Sequence, residues 1–169
     1  MERDHTPSLR IAGGRLMEAR RAALDARAPH SSELVAEIAG VRYINDSRAT
    51  FLDAALASLG RMEQRVVWIA GAWSNAMGEG HVLELLRERV TAVVLFGPVT
   101  EVDPPADVQV IHANELRTAV FVARELARPG ESVLFSPACP SGGPGAGPGA
   151  GFANYEERGA EFKRAVRDL

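Results

Sequence analysis

Six residues between a predicted strand and a predicted helix, Asn45 to Thr50, have the side chains and the position to hold an anion. A strand-to-helix junction leaves the first backbone N–H groups of the helix free, and such groups bind anions. Arg48 and Thr50 would add side-chain donors, one of them charged. The alternative is an ordinary helix cap supplied by Asp46 or Ser47. From the spacing alone, the cap is the favoured interpretation.

A second polar run, Ser136 to Ser141, follows the last predicted strand. Both serine hydroxyls could hydrogen-bond a carboxylate, although a plain strand-exit turn is favoured on the pattern alone. Cys139 has no base beside it in the sequence, so we expect a structural, partly buried thiol rather than a nucleophile. Four histidines lie far apart without metal-ligand spacing, so no metal site is predicted: His5, His30, His81 and His112.

The elements that must position these runs alternate regularly along the chain. Two short β-favouring runs, Leu34 to Ile38 and Val41 to Ile44, flank a glycine-containing turn and predict a hairpin. Hydrophobic periodicity predicts further strands at 66–70, 92–96, 108–111 and 132–135, and helices at 16–28, 51–59, 82–89, 116–127 and 156–166.

The later strands are apolar on both faces, which is typical of a parallel sheet covered by helices on each side. The expected fold is therefore α/β, a Rossmann-like doubly wound, mostly parallel sheet with a short β-hairpin and an N-terminal helical arm. Residues 1–29 form the arm and residues 30–169 form the domain. Ligands of such sheets lie beyond the carboxyl ends of the strands, so we expect the loops 45–50, 71–80, 97–105 and 136–155 at one edge.

Length and composition exclude several classes of protein. The chain has 169 residues, 46% of them hydrophobic and 24% charged, which fits one globular domain with room for an arm. The net charge of −3 argues against a nucleic-acid binder. No apolar run is long enough to cross a membrane, and residues 1–10 do not resemble a signal peptide. We therefore expect a cytoplasmic protein.

Three runs, taken in order, carry a resemblance to a known family: ELVAEIAGVRYINDSRAT at 33–50, LARPGESVLFSPAC at 126–139, and NYEERGAEF at 154–162. Together with the strands between them they resemble the C-terminal domain of the Mur ligases, nearest to the branch that adds D-glutamate to a UDP-sugar precursor of peptidoglycan. The resemblance covers His30 to Leu169. It implies a Rossmann-like domain that presents the amino acid, while two further domains hold the UDP-sugar and ATP with Mg²⁺.

The resemblance also assigns roles to single residues. Thr50 and Ser141 match residues that hold the carboxylates of D-glutamate, and Tyr155 stands where the family usually has Phe. His30 and Asp46 match residues at the nucleotide edge.

Three basic residues of the family are changed in this chain. Arg48 replaces a lysine and remains a candidate substrate-binding residue. Ser31 replaces an arginine, and Asn75 replaces a second lysine. The loop after Ser141 is longer than in the family and consists of Gly, Pro and Ala, so we expect it to be mobile. Loss of positive partners for a dicarboxylate indicates a divergent domain with weak dicarboxylate binding, a pseudoenzyme.

Three functions fit this pattern. The chain could be a stand-alone domain without catalysis in cell-wall synthesis, an amino-acid-binding subunit acting in trans with a chain that binds ATP and the UDP-sugar, or a folded gene remnant. The lost basic residues favour the first and third. No G-x-x-x-x-G-K-[ST] phosphate loop occurs, so we expect no cofactor in the isolated chain, and ATP and Mg²⁺ only if a partner, such as a Mur ligase chain or another cell-wall enzyme, completes it.

Overall fold

The computed structural model describes residues 28–71, 73–98, 104–142 and 151–169. Within them the strands are β1 (Glu33–Ile38), β2 (Val41–Asn45), β3 (Val66–Ala70), β4 (Val90–Phe96), β5 (Val110–Ala113) and β6 (Ser132–Phe135). The helices are α1 (Leu52–Gly60), α2 (Gly80–Arg89), α3 (Leu116–Leu126) and α4 (Tyr155–Arg167), and a short 3-10 helix spans Asn75–Gly78. The predicted arm, apart from its last two residues, and most of the glycine-rich loop lie outside the described residues.

The six strands form one sheet in the order β1-β2-β6-β3-β4-β5. The hairpin partners β1 and β2 are antiparallel, and every other neighbouring pair is parallel. In this order β6, the last strand in the chain, lies between β2 and β3. The segments that follow β2, β3 and β6 therefore leave the sheet side by side at its carboxyl edge.

Two hydrophobic clusters, one on each face of the sheet, explain why helices cover both sides. Residues of β3 alternate between them, since Val67 and Ile69 join one cluster and Trp68 joins the other. The first cluster is closed by α3 and α4, through residues such as Val120 and Phe162. The second is closed by α1 and α2. The doubly wound, mostly parallel sheet predicted from the sequence is confirmed.

Several element boundaries differ by one or two residues from those that the sequence predicts, and two of these differences have a local cause in the structure. Helix α1 starts at Leu52, because Phe51 is extended, with φ −148° and ψ 162°. Strand β5 lies about two residues later than predicted, because the N–H of Val108 donates to the carbonyl of Pro105 at 2.9 Å in a turn. Pairing with β4 then begins at Val110.

Among the helices of the described residues, none combines the length and the hydropathy needed to cross a membrane.

Candidate functional site

A buried carboxylate joins three parts of the carboxyl edge. Asp46 follows β2, and only 4% of its surface is exposed. Its Oδ2 accepts hydrogen bonds from the hydroxyls of Ser58 at 2.6 Å and Ser136 at 3.1 Å. Its Oδ1 accepts from the N–H of Ser32 at 2.9 Å. The residue that the resemblance places at a nucleotide edge thus binds α1, the segment after β6 and the segment before β1.

Backbone hydrogen bonds hold the loops together. The N–H of Ala138 donates to the carbonyl of Ala49 at 3.0 Å, and the N–H of Gly71 donates to the carbonyl of Pro137 at 2.8 Å. The loops after β2, β3 and β6 therefore meet at one edge, which confirms the arrangement predicted for their described parts. Cys139, the cysteine in the last of them, is buried as expected.

His30 is fixed against the start of the loop after β2. Its Nδ1 lies 3.2 Å from Nδ2 of Asn45 and 3.1 Å from the hydroxyl of Ser47. The Asn45 amide is oriented by the N–H of Ser47, which donates to Oδ1 at 3.2 Å, so Nδ2 is the donor towards His30. His30 therefore accepts at Nδ1 and carries its proton on Nε2 when neutral. With this assignment, the Nε2–H of His30 is left as a donor at the carboxyl edge of the sheet.

An ion pair supports this histidine from the side of α4. The ammonium of Lys163 lies 3.2 Å from the carboxylate of Glu33, and both side chains are largely buried. Glu33 also accepts from the N–H of His30 at 3.0 Å and from Nδ2 of Asn45 at 3.1 Å. Burial alone would raise the pKa of Glu33, but the donors His30, Lys163 and Asn45 together lower it.

Gly159 in α4 makes room for this cluster. A Cβ atom added there would overlap Nδ1 of His30 and the hydroxyl of Ser47. Only a glycine allows the helix backbone to approach these two side chains so closely.

The exposed rim carries a cation and an aromatic ring. The guanidinium carbon of Arg48 lies 6.0 Å from the centre of the Tyr155 ring, and the His30 ring meets the same ring edge-on at 6.0 Å. A hydrogen bond to Glu156 raises the pKa of Tyr155. Arg48 forms no salt bridge with a carboxylate in the described part of the chain, so its guanidinium N–H groups are open to a ligand. The hydrogen bond with Tyr155 and, to a smaller extent, the charge of Arg48 lower the pKa of Glu156.

Thr50 and Ser141, the two residues matched to carboxylate binding, lie on loops that touch. Thr50 follows Ala49, whose carbonyl binds Ala138, and Ser141 lies three residues beyond Ala138. Both residues are partly exposed, and neither hydroxyl hydrogen-bonds another residue of the described ranges. The structure thus places the loops of Arg48, Thr50, Ser141 and Tyr155 at one edge, with the hydroxyls unused. Their roles remain predictions.

Sequence reasoning missed the buried charges that support the site, above all Arg158. This arginine lies in α4 and is fully buried, although charged residues on a terminal helix usually face solvent. One signal was present, since Arg158, Phe162, Ala165 and Val166 share one helical face. A charged residue in register with an apolar stripe indicates a buried partner.

A cavity of about 390 Å³ opens at the same edge, beyond β4 and β5. Its walls are mostly apolar and include Phe96, Pro98, Leu116 and Phe152. None of the residues matched to ligand binding lines it, so the cavity and the Arg48–Tyr155 rim are separate features. No cluster of metal-ligating side chains occurs among the described residues.

Acidification should weaken the fold through His30 first. Burial lowers the pKa of His30 below its ordinary 6.5, and Lys163 acts in the same direction. Because the unfolded chain then binds more protons, stability is present above pH 6.5 and falls as the pH drops through the folded pKa. Glu33, with a pKa below its ordinary 4.5, extends the loss at lower pH.

Urea unfolding of the wild type should show a free energy of unfolding that falls between pH 7 and pH 5. His30→Asn should flatten this dependence, because it removes the titrating imidazole. Asparagine is chosen because it tolerates the φ of 65° at this position. His81→Asn, on the surface of α2, is the control for losing a histidine. Equal slopes in the wild type and His30→Asn would contradict the expectation.

Comparison with known proteins identifies relatives of this chain. No family model matches the chain. The UDP-N-acetylmuramoylalanine–D-glutamate ligase of Bordetella parapertussis is 39% identical over 145 residues, which cover 83% of this chain and 27% of the ligase. The ligase of the same name from Chlorobaculum parvum is 37% identical over 143 residues, covering 83% of this chain and 29% of the ligase.

Among solved structures, the bifunctional folylpolyglutamate synthase/dihydrofolate synthase of Yersinia pestis has a TM-score of 0.50 at 19% identity and covers 90% of this chain and 34% of its own. This likeness concerns the fold alone. The chain spans less than a third of the length of the curated ligases quoted. The level of identity confirms the resemblance inferred from the sequence, and the chain belongs to the Mur ligase family as a homologue of a domain-sized part of its D-glutamate ligases.

Proposed function

We propose that this chain is a divergent D-glutamate-binding domain of the Mur ligase type, linked to peptidoglycan precursor synthesis and not catalytic by itself. One observation carries the proposal. The loops of Arg48, Thr50 and Ser141 meet at the carboxyl edge of the sheet, and these side chains have no hydrogen-bond or ion-pair partner in the described ranges. The homology to D-glutamate ligases supplies the substrate class.

The chemistry of the edge suits a small dicarboxylate. Arg48 offers a charged donor, and the hydroxyls of Thr50 and Ser141 offer neutral ones. Helix α1 adds backbone N–H groups, because its N-cap residue, Phe51, makes no side-chain cap hydrogen bond. These groups supply one full positive charge for two carboxylates, which supports binding but not tight binding.

We therefore expect a dissociation constant for D-glutamate no tighter than about 1 mM, equivalent to roughly −4 kcal/mol. Solvent screens an exposed cation, and no second cation is matched to the family's lysine at Asn75. Titration of the ¹⁵N-labelled chain with D-glutamate, followed by NMR, tests the proposal. Saturable shifts at Arg48, Thr50 and Ser141 would support it. The proposal is refuted if these amides do not shift at any D-glutamate concentration tested. Equal shifts with D-glutamine, which lacks the second carboxylate, would refute it as well.

Restoring the missing charge should strengthen binding. Asn75 begins the 3-10 helix after β3, at the same edge as Arg48. We expect Asn75→Lys to lower the dissociation constant about tenfold, the effect of roughly one charge-assisted hydrogen bond, near 1.4 kcal/mol. Asn75→Gln is the uncharged control and should bind as the wild type does. Equal affinity of the lysine and glutamine variants would show that this position does not face the ligand.

One exposed side chain favours a second candidate, in which the chain acts in trans with a separate chain that binds ATP and the UDP-sugar. Phe51, directly after Thr50, is 61% exposed. A large apolar side chain beside the rim is a typical contact for a covering partner.

A Mur ligase deprived of its own third domain is the partner for the test. The chain alone should release no ADP from MgATP, and the mixture with UDP-sugar substrate and D-glutamate should. Phe51→Ser should reduce the rate in the mixture. A mixture as inactive as the chain alone would rule out action in trans.

A further inference from the structure

Arg158 is a buried cation without a carboxylate partner among the described residues. It lies in α4, one turn after Tyr155, and none of its surface is exposed. Burial lowers its pKa, while Cys139 acts in the opposite direction. Taking a guanidinium out of water costs free energy that must be offset by hydrogen bonds. Its acceptors therefore indicate what this side chain does.

Those acceptors are backbone carbonyls on two different loops. Nη2 donates to the carbonyl of Ser47 at 3.1 Å, in the loop between β2 and α1. Nη1 donates to the carbonyls of Cys139 at 3.1 Å and Pro140 at 3.2 Å, in the loop after β6. The sulfur of Cys139 lies 3.4 Å from Nη1 as well. One side chain thus connects both loops to α4.

These three segments carry every residue that the resemblance matches to substrate binding. Arg48 and Thr50 follow Ser47, Ser141 follows Pro140, and Tyr155 precedes Arg158 on the same helix. We propose that Arg158 is a positioning residue, which fixes the two ligand-bearing loops against α4 and so holds the dicarboxylate-binding groups in one arrangement. The inference rests on the proposed function.

The shape of the guanidinium explains why an arginine is needed here. Its nitrogens form a rigid planar fork, so the two ends donate to separate loops in a fixed geometry. A lysine has one ammonium nitrogen on a flexible chain and cannot reproduce this bridge. Arg158→Lys keeps the charge and most of the apolar packing, and it removes the simultaneous contact with Ser47 and the Cys139–Pro140 segment. The lysine variant therefore distinguishes the loss of the bridge between the loops from the loss of the positive charge.

The test compares Arg158→Lys and Arg158→Met with Leu86→Ala, a core substitution in α2 on the opposite face of the sheet. Amide hydrogen exchange monitors the two loops through their backbone N–H groups. That of Arg48 donates to the carbonyl of His30, and that of Ala138 donates to the carbonyl of Ala49. Gly97, which donates to Ala113 away from both loops, is the internal reference. D-glutamate affinity is measured by NMR titration of the same samples.

We expect both Arg158 variants to lose protection at Arg48 and Ala138 relative to Gly97, and to bind D-glutamate about tenfold more weakly. Leu86→Ala should lower protection at all three amides to the extent that it lowers the free energy of unfolding, and its affinity for D-glutamate should be unchanged. Should Arg158→Met fail to fold, Arg158→Lys decides the question alone.

Arg158→Lys with wild-type protection and affinity would overturn the inference, and so would a loss of affinity in Leu86→Ala equal to that in Arg158→Lys. A wild type that binds no D-glutamate would instead refute the proposed function. In that case the exchange data still decide whether Arg158 fixes the loops.

Discussion

Asp46→Ala is expected to lower the free energy of unfolding by about 3 kcal/mol, because it leaves buried donors without their acceptor. The donors are the hydroxyls of Ser58 and Ser136 and the N–H of Ser32. Ser58 and Ser136 are themselves buried, so water does not readily replace the carboxylate. Urea denaturation followed by tryptophan fluorescence, to which the buried Trp68 contributes, measures the loss.

Asp46→Asn should cost much less, about 1 kcal/mol. Its Oδ1 can still accept from the N–H of Ser32, and its amide can donate to the hydroxyls of Ser58 and Ser136, which rotate to accept. Asp53→Ala, on the exposed side of α1, is the matched control and should change stability by less than about 0.5 kcal/mol. An alanine variant at Asp46 as stable as the asparagine variant would show that this carboxylate does not hold the edge together.

Gly159→Ala is expected to destabilise the domain by about 1–2 kcal/mol, although alanine normally favours a helix over glycine by about 1 kcal/mol. The new methyl group overlaps the His30 ring and the Ser47 hydroxyl. Ser47 is fully buried and its carbonyl binds Arg158, so it cannot move away without disturbing that contact. Either α4 shifts or the hydrogen bonds of His30 break.

Gly60→Ala, at the last residue of α1, provides the control for helix propensity. Nothing lies within 4 Å of a Cβ atom added there, so we expect a gain of about 0.5 kcal/mol or no change. Thermal and urea unfolding of both variants give the comparison. If Gly159→Ala were as stable as Gly60→Ala, the close approach of α4 to His30 would be without consequence.

The different results expected for these two glycines follow from tertiary contacts, because an added Cβ atom overlaps His30 and Ser47 at Gly159 and meets nothing within 4 Å at Gly60.

The sequence by itself determined the main elements and the edge at which the site lies. Short apolar runs rich in β-branched and aromatic residues, such as VVWIA at 66–70, indicate buried strands, and the helices between them favour parallel pairing. Once the strands are parallel, the segments after β2, β3 and β6 share one edge. The family was also accessible, because its motifs are short, ordered and local.

Only the tertiary structure decided what the polar residues at that edge do. Asp46 is a plausible helix cap in the sequence, yet it binds donors 12, 14 and 90 positions away. The apolar stripe of α4 indicates that Arg158 is buried, but nothing in the sequence shows that it reaches a carbonyl 111 positions earlier in the chain. Local patterns report hydrophobicity and turn chemistry, whereas a buried charge is satisfied by partners that come together only when β6 inserts between β2 and β3. Because those hydrogen bonds depend on chain segments far apart in sequence, no spacing rule reveals them.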